Sequence, residues 1–309
     1  SRGLGDVYKR QAANMIDAQT LQVGKLVAFM EYLFHAMFSV MLFCMVFMLY
    51  PRASISAKRI MAVLNTETSI ENHPGNAQTD SGSGEHSVIF EHVDFVYPDG
   101  EEAVLKDISF SAKSGETVAF IGSTGSGKSS LIQLIPRFYD RASGNIYIDG
   151  QKIEDLDINT LRSKIGFVPQ KAHLFSGTIE ENIRFGKPDA TMDEIIHAAK
   201  IAQAYDFIME KPHQFQEQIV EGATNVSGGQ KQRLSIARAL IRKPEIYIYD
   251  DSFSALDFKT DARLRKALKP EIKNAIVFLV AQRVSTILDA DKIVAVSYTH
   301  LTLPTIYSV

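Results

Sequence analysis

With a single cysteine, Cys44, in 309 residues, the chain has no means of forming an internal disulfide framework. That scarcity fits a soluble part kept in a reducing compartment. Excess charge is missing too: the formal net charge of −3 gives no electrostatic reason to expect nucleic acid as a partner. No internal repeat is apparent, so the length allows one large domain or two.

Against this background one stretch stands out, Gly122-Ser123-Thr124-Gly125-Ser126-Gly127-Lys128-Ser129, which fits the phosphate-loop pattern G-x-x-x-x-G-K-[ST] at every defined position. An apolar, β-prone run from Thr117 to Ile121 precedes it, and a helical pattern over Ser130 to Ile135 follows. The glycines let backbone N–H groups turn inward around phosphate oxygens, the helix start adds positive potential, Lys128 adds a charge, and Ser129 can hold Mg²⁺. A turn between strand and helix would need neither the lysine nor the hydroxyl at these spacings.

The two ends read as foreign. Asp6 to Gln11 can be encoded by a transposon end used in sequencing libraries, and Val296 to Leu301 match its reverse complement read in frame. Residues 1–11 and 296–309 are therefore set apart as library remnants, and the sequence between them is expected to be a fragment. Leu26 to Tyr50 is almost entirely apolar and, as a helix, would be roughly 37 Å long, enough to span a bilayer with tilt. Arg52, Lys58 and Arg59 follow, which predicts a cytoplasmic exit. Glu31 and His35 fall four apart on one helix face near the expected outer interface. Pro51 is expected to kink or end the span, with a helix resuming from Ala53 to Leu64. Residues 66–86 are rich in Asn, Gly, Ser and Asp and read as a flexible linker.

Beyond the linker, β-prone runs occur at Ser87 to Tyr97, Val104 to Phe110, Thr117 to Ile121, Asn145 to Ile148, Ile165 to Val168, Glu245 to Tyr249 and Ala275 to Val280. Their order with the intervening helical patterns predicts an α/β fold, a parallel sheet core preceded by antiparallel strands, with a helical insertion between Ala172 and Ala239. Ile246 to Asp250 is a strand ending in a carboxylate that could hold Mg²⁺ through its water shell, and Gln170 offers a neutral ligand to the same ion. Val226-Ser227-Gly228-Gly229-Gln230 precedes a helix expected over Lys231 to Ile241, a second helix start suited to an anion.

In combination these pieces resemble the ATP-binding cassette (ABC) transporter superfamily, from about Ala12 to Ala295. Gly122 to Ser129 resembles the Walker A loop, Gln170 the Q-loop, Val226 to Gln230 the signature, Ile246 to Asp250 the Walker B strand, and Ser254-Ala255-Leu256-Asp257 the D-loop. Ser54 to Ile60 and the span before them resemble the last transmembrane helix of multidrug-type exporters, fused to its cassette. Tyr97, 25 positions before Gly122, resembles the aromatic residue on which adenine stacks. The resemblance implies a P-loop NTPase fold of parallel core, antiparallel subdomain and helical subdomain over residues 87–295, preceded by a membrane domain segment over 12–65. It implies ATP contacts from Tyr97, the loop Gly122 to Ser129, Ser130, Ser227, Gly228, Gly229 and Gln230, and Mg²⁺ held by Ser129, Gln170 and Asp250. Catalytic roles fall to Asp251, Gln282 and Gln170.

Two positions depart from the family pattern. Asp251 stands where most members carry the Glu that polarises the attacking water, and Gln282 stands in place of the switch His. Together they resemble the degenerate half of a heterodimeric exporter, a homodimer being the alternative. The implied activity is ATP hydrolysis driving efflux of drugs, lipids or other small amphiphiles across the cell membrane, with a second half-transporter as partner and the cassette on the cytoplasmic side. A soluble ABC ATPase of translation or DNA repair, with Leu26 to Tyr50 buried, and a catalytically weak regulatory subunit are the alternatives.

Overall fold

The computed structural model describes residues 2–72, 86–281, 287, 289–296 and 306–308. The chain divides into two compact units, residues 1–69 and 70–309.

The first unit contains α1 (Arg2–Asp17) and α2 (Val23–Leu64). α2 runs on through Pro51 for 42 residues, about 63 Å, so of the two expected outcomes the helix does not end there. A proline inside a helix removes one backbone donor, but strong helix formers stand on both sides, Met45, Met48 and Leu49 before it and Ala53, Ala57, Lys58, Arg59, Met61, Ala62 and Leu64 after it. α2 buries none of its residues and is long and apolar enough to cross a membrane. Its apolar positions surround the axis, so it has no single core-facing stripe.

In the second unit β1 (Ser87–Phe95), β2 (Leu105–Lys113), β3 (Thr117–Ile121), α3 (Lys128–Leu134), β4 (Ser143–Ile148), β5 (Gln151–Lys152), α4 (Ile158–Ser163) and β6 (Ile165–Val168) come first. They are followed by β7 (Gly177–Thr178), α5 (Ile179–Arg184), α6 (Met192–Ile201), α7 (Tyr205–Met209), β8 (Gln218–Ile219), α8 (Gly228–Leu240), β9 (Ile246–Asp250), α9 (Phe258–Glu271), β10 (Ile276–Val280), β11 (Lys292–Ala295) and β12 (Ile306–Ser308). Strands β11, β3, β10, β9 and β6 lie side by side in parallel, and β12 pairs antiparallel outside β11. A second, antiparallel sheet has the order β2-β1-β4-β5. It therefore takes strands from both sides of the phosphate loop, whereas the sequence reading put antiparallel strands only before it.

Alternation along the central strands builds a three-layer core. Ile246, Ile248, Ile276, Phe278, Val118 and Phe120 pack on one face with α3 and the antiparallel sheet. Tyr247, Tyr249, Val277, Leu279 and Ala119 pack on the other with α6, α8 and α9. β9 and β10 are buried at every position, as parallel strands covered on both faces must be.

Several element boundaries shift by a few residues, those of β1, β2, β4, β9 and β10 among them. α8 begins at Gly228 instead of Lys231, and the helix after the phosphate loop spans Lys128–Leu134 instead of Ser130 to Ile135. Of the expected linker, residues 73–85 lie outside the described residues. Its first part is already anchored: Asn72 donates to Asp157 Oδ1 at 2.9 Å and accepts the Ile158 N–H at 3.0 Å. Both terminal stretches set apart in the sequence carry secondary structure, as α1 and β12.

Candidate functional site

The topology gathers the site at one edge of the sheet. Because β3, β10, β9 and β6 are parallel neighbours, the segments that leave their carboxyl ends emerge side by side. Those segments are the phosphate loop after β3, Ala281 after β10, Asp250 and Asp251 at the end of β9, and Gln170 after β6. Val280 registers with both Phe120 and Asp250, which levels the strand ends. Gln282 itself lies outside the described residues.

Two glycines in the loop are required by space as well as by dihedral angle. Gly122 (φ 153°) would bring a Cβ to 2.8 Å from Ser126 Oγ, and Gly127 (φ 91°) would bring one to 2.9 Å from Leu105 Cδ2. Between them the loop wraps the Lys128 ammonium, which donates to the carbonyl oxygens of Gly122 at 2.9 Å and Ser123 at 2.6 Å and to Ser126 Oγ at 3.3 Å. Burial pushes the Lys128 pKa down, and the negative fields of Asp251 and Asp250 oppose that shift.

The next hydroxyl crosses to the neighbouring strand end. Ser129 Oγ donates to Asp250 Oδ1 at 2.9 Å, joining positions 121 residues apart. Burial holds the Asp250 carboxyl above its ordinary pKa; the Ser129 bond works against this and the adjacent Asp251 adds to it. Asp251 sits in the left-handed region (φ 45°), its N–H donates to the Val280 carbonyl at 3.1 Å, and its Oδ2 accepts from Gln170 Nε2 at 3.2 Å. Gln170 keeps its amide oxygen for another partner. The structure thus brings together Lys128, Ser129, Gln170, Asp250 and Asp251.

Tyr97 joins the loop from the antiparallel side. Its hydroxyl and Ser130 Oγ are 2.8 Å apart, and its ring stands nearly perpendicular to Phe95 and Tyr139. The glycine pair at the start of α8 forms a separate cluster. Ser227 caps α8 in a reciprocal box with Gln230: Ser227 Oγ accepts the Gln230 N–H at 3.3 Å and Gln230 Oε1 accepts the Ser227 N–H at 2.9 Å. Ser227 and Gly228 are exposed, and Gly229 packs close to the Ala255 carbonyl. Among the described residues, no hydrogen bond links Ser227, Gly228, Gly229 or Gln230 to the phosphate loop.

Two connecting residues escaped the sequence reading. Ser252, fully buried, donates to the Val168 carbonyl at 2.8 Å, and Gln232 donates to the Pro169 carbonyl at 3.1 Å. They tie the turn after β9 and the helix α8 to the segment carrying Gln170. No local pattern marks either residue, because both contacts arise from the adjacency of β6, β9 and α8.

A parallel α/β sheet with a phosphate loop at its carboxyl edge and an acidic strand end beside it defines a P-loop nucleotide-binding cassette. Residues 105–254 match the family described as ABC transporter. The chain carries the ATP-binding domain of the ABC transporter family. It is 44% identical over 278 residues to YfiB of Bacillus subtilis, called an uncharacterized ABC transporter ATP-binding protein, covering 90% of this chain and 48% of that one. A putative multidrug export ATP-binding/permease protein of Staphylococcus aureus is 48% identical over 214 residues, covering 69% of this chain and 37% of the relative. Among solved structures, a bacterial Atm1-family ABC exporter with ATP bound superposes with a TM-score of 0.74 at 32% identity, covering 90% of this chain and 48% of that one. The chain spans about half the length of these relatives or less.

Proposed function

We propose that this chain is the ATP-binding and ATP-hydrolysing part of a half-transporter of the multidrug exporter type, in which residues 12–65 end the membrane domain and residues 87–295 form the cassette. The observation that carries the reading is the Ser129–Asp250 hydrogen bond at 2.9 Å, which joins the phosphate loop to the acidic end of β9. A hydroxyl, a carboxylate and the amide oxygen of Gln170 make a hard oxygen donor set of the kind Mg²⁺ takes. Bound Mg·ATP would supply the transferable phosphoryl group and neutralise its charge.

The chain's own groups divide the remaining work. Lys128 exchanges its loop carbonyls for β- and γ-phosphate oxygens, and backbone N–H groups of the loop and the α3 start take the others. Tyr97 stacks on the base. Asp251 accepts a hydrogen bond from the attacking water, but its carboxylate is one methylene shorter than Glu and is engaged by Gln170. Gln282 can donate to phosphate and cannot become cationic. These departures favour a slow site in a heterodimer, with Ser227 to Gln230 completing the partner's site. The similarity to the putative multidrug export protein of Staphylococcus aureus supports export of drugs, and we extend the cargo class to other amphiphiles. The unburied apolar helix α2 supports a membrane location over a soluble ABC ATPase, in which it would be covered.

Equilibrium binding of Mg·ATP to the detergent-solubilised chain tests the reading. Lys128→Ala should weaken binding roughly tenfold or more, from loss of a charged hydrogen-bond donor, and Asp250→Asn should remove the dependence on Mg²⁺. Unchanged affinity in both variants would refute the site.

A further inference from the structure

The hydrogen-bonding half of the site is set by the phosphate loop, but the orientation of Tyr97 has to be fixed by something else. A tyrosine ring at a half-buried strand end can turn about its side-chain bonds unless neighbours hold it. Two kinds of contact do so here. The hydroxyl is tied to Ser130 Oγ at 2.8 Å, and the ring is flanked by Phe95 (4.7 Å between centroids, 73° between planes) and Tyr139 (5.1 Å, 86°). Phe95 and Tyr139 also meet each other at 5.6 Å, so the three rings form a closed triangle.

We propose that Tyr139 is a positioning residue for the nucleobase, fixing the plane of Tyr97 on which the base stacks. The inference rests on the nucleotide site proposed above. Tyr139 suits this role because its backbone is held firmly. It follows α3, the helix that opens at the phosphate loop, through a turn in which Arg137 takes a left-handed conformation (φ 52°). Arg162 clamps that turn, donating from Nε to the Pro136 carbonyl at 3.0 Å and from Nη2 to the Arg137 carbonyl at 2.9 Å. The same guanidinium lies over the Phe138 ring at 5.4 Å, and Arg137 Nε pairs with Asp140 Oδ1 at 2.6 Å. Phe95 is fully buried on β1 and cannot yield. Tyr139 is the outer wall of the triangle, half-buried at its edge.

The base platform and the phosphate cradle therefore share one scaffold. Both ends of the segment 128–139 touch Tyr97, through Ser130 at the start and Tyr139 at the end. Perpendicular aromatic pairs contribute measurably beyond buried area, and that contribution is lost when the ring is removed while an unaromatic side chain of similar bulk does not restore it.

The test compares a ligand with a base to one without. Affinities of the full chain for Mg·ATP and for inorganic tripolyphosphate with Mg²⁺ are measured for wild type, Tyr139→Ala, Tyr139→Leu, Tyr139→Phe and Tyr97→Ala. Tyr139→Ala and Tyr139→Leu should bind ATP roughly three- to tenfold more weakly and leave tripolyphosphate affinity within about twofold, while Tyr139→Phe matches wild type. A parallel loss of tripolyphosphate binding, in either variant, would mean that the ring only supports the fold and would overturn the proposal. So would retention of ATP affinity in Tyr139→Leu. If Tyr97→Ala weakens ATP and the Tyr139 variants do not, the nucleotide site stands and the positioning role falls. If Tyr97→Ala changes nothing, the base platform itself fails, and the role of Tyr139 with it.

Discussion

Asp250 carries opposed demands at the scale of a single residue. Burial raises its pKa, so the folded chain holds that proton more tightly than the unfolded chain does. Its favourable contribution to folding is present at low pH and is lost as pH rises through the raised value. Nucleotide binding runs the other way, since only the ionised carboxylate can hold Mg²⁺ in the proposed site. Between pH 8 and mildly acidic pH, the rise in Tm caused by Mg·ATP should therefore shrink before an ordinary carboxylate would protonate. Asp250→Asn, which removes the buried charge, should leave the unliganded chain at least as stable near neutral pH. Thermal melting with and without Mg·ATP across that range checks both trends. At the network of Asp149, Lys164 and Glu245 the signs differ. Lys164 bonds Asp149 at 2.6 Å and Glu245 at 3.0 Å, and these bonds outweigh burial to raise its pKa. That stabilisation is intact below the usual lysine pKa and is lost only as pH rises beyond it. The bonds to Lys164 likewise hold the Asp149 carboxyl below its ordinary value, so its share persists until acid pH falls through that lowered pKa.

Elements impose constraints that no single contact does. The turn from β3 into α3 needs Gly127 at φ 91° with Leu105 and Val104 pressed against it, so Gly127→Ala should cost about 1–3 kcal/mol, read as a lower denaturant midpoint with unchanged slope. Ser227→Ala removes the cap of α8 and should cost about 1 kcal/mol by the same measurement. The elements legible in the sequence are those with a local signature. Thr117–Ile121 and Ile165–Val168 match the expected strands end to end, because each is a short apolar run closed by turn residues or proline. The contiguous loop from Gly122 to Ser129 is legible for the same reason. Where the sequence misleads, a local rule meets a wider context. Pro51 reads as a kink or an end, yet the helix continues past it to Leu64. The glycines after Ser227 read as loop, yet the reciprocal Ser227–Gln230 box draws them into the first turn of α8. The pairings Ser129–Asp250, Gln170–Asp251 and Ser252–Val168 have no local mark, since they depend on which parallel strands lie side by side.

For the whole molecule, a membrane-length helix precedes a cassette whose two functional edges, on the proposed reading, would serve different sites. The first edge, at the strand ends, has its charges and hydroxyls assembled but carries a short carboxylate at Asp251 and an uncharged amide at Gln282. At the second edge, the capped start of α8, Ser227 and Gly228 are exposed, and in the proposed pair they would face another cassette. An assembled pair would then hold one slow site, built on this chain's own phosphate loop, and one fast site completed by its signature. A misplacement of about 1 Å at a reacting group can lower turnover on the order of a hundredfold, which is the scale of inequality expected. ATP hydrolysis by the full-length transporter, assembled with its partner half, tests this most directly when Asp251→Asn is compared with Ser227→Arg in this chain. The account predicts that Asp251→Asn keeps turnover within about twofold and that Ser227→Arg lowers it tenfold or more, by closing the partner's site. The opposite order, with Asp251→Asn severe and Ser227→Arg mild, would contradict it and assign hydrolysis to this chain's own site.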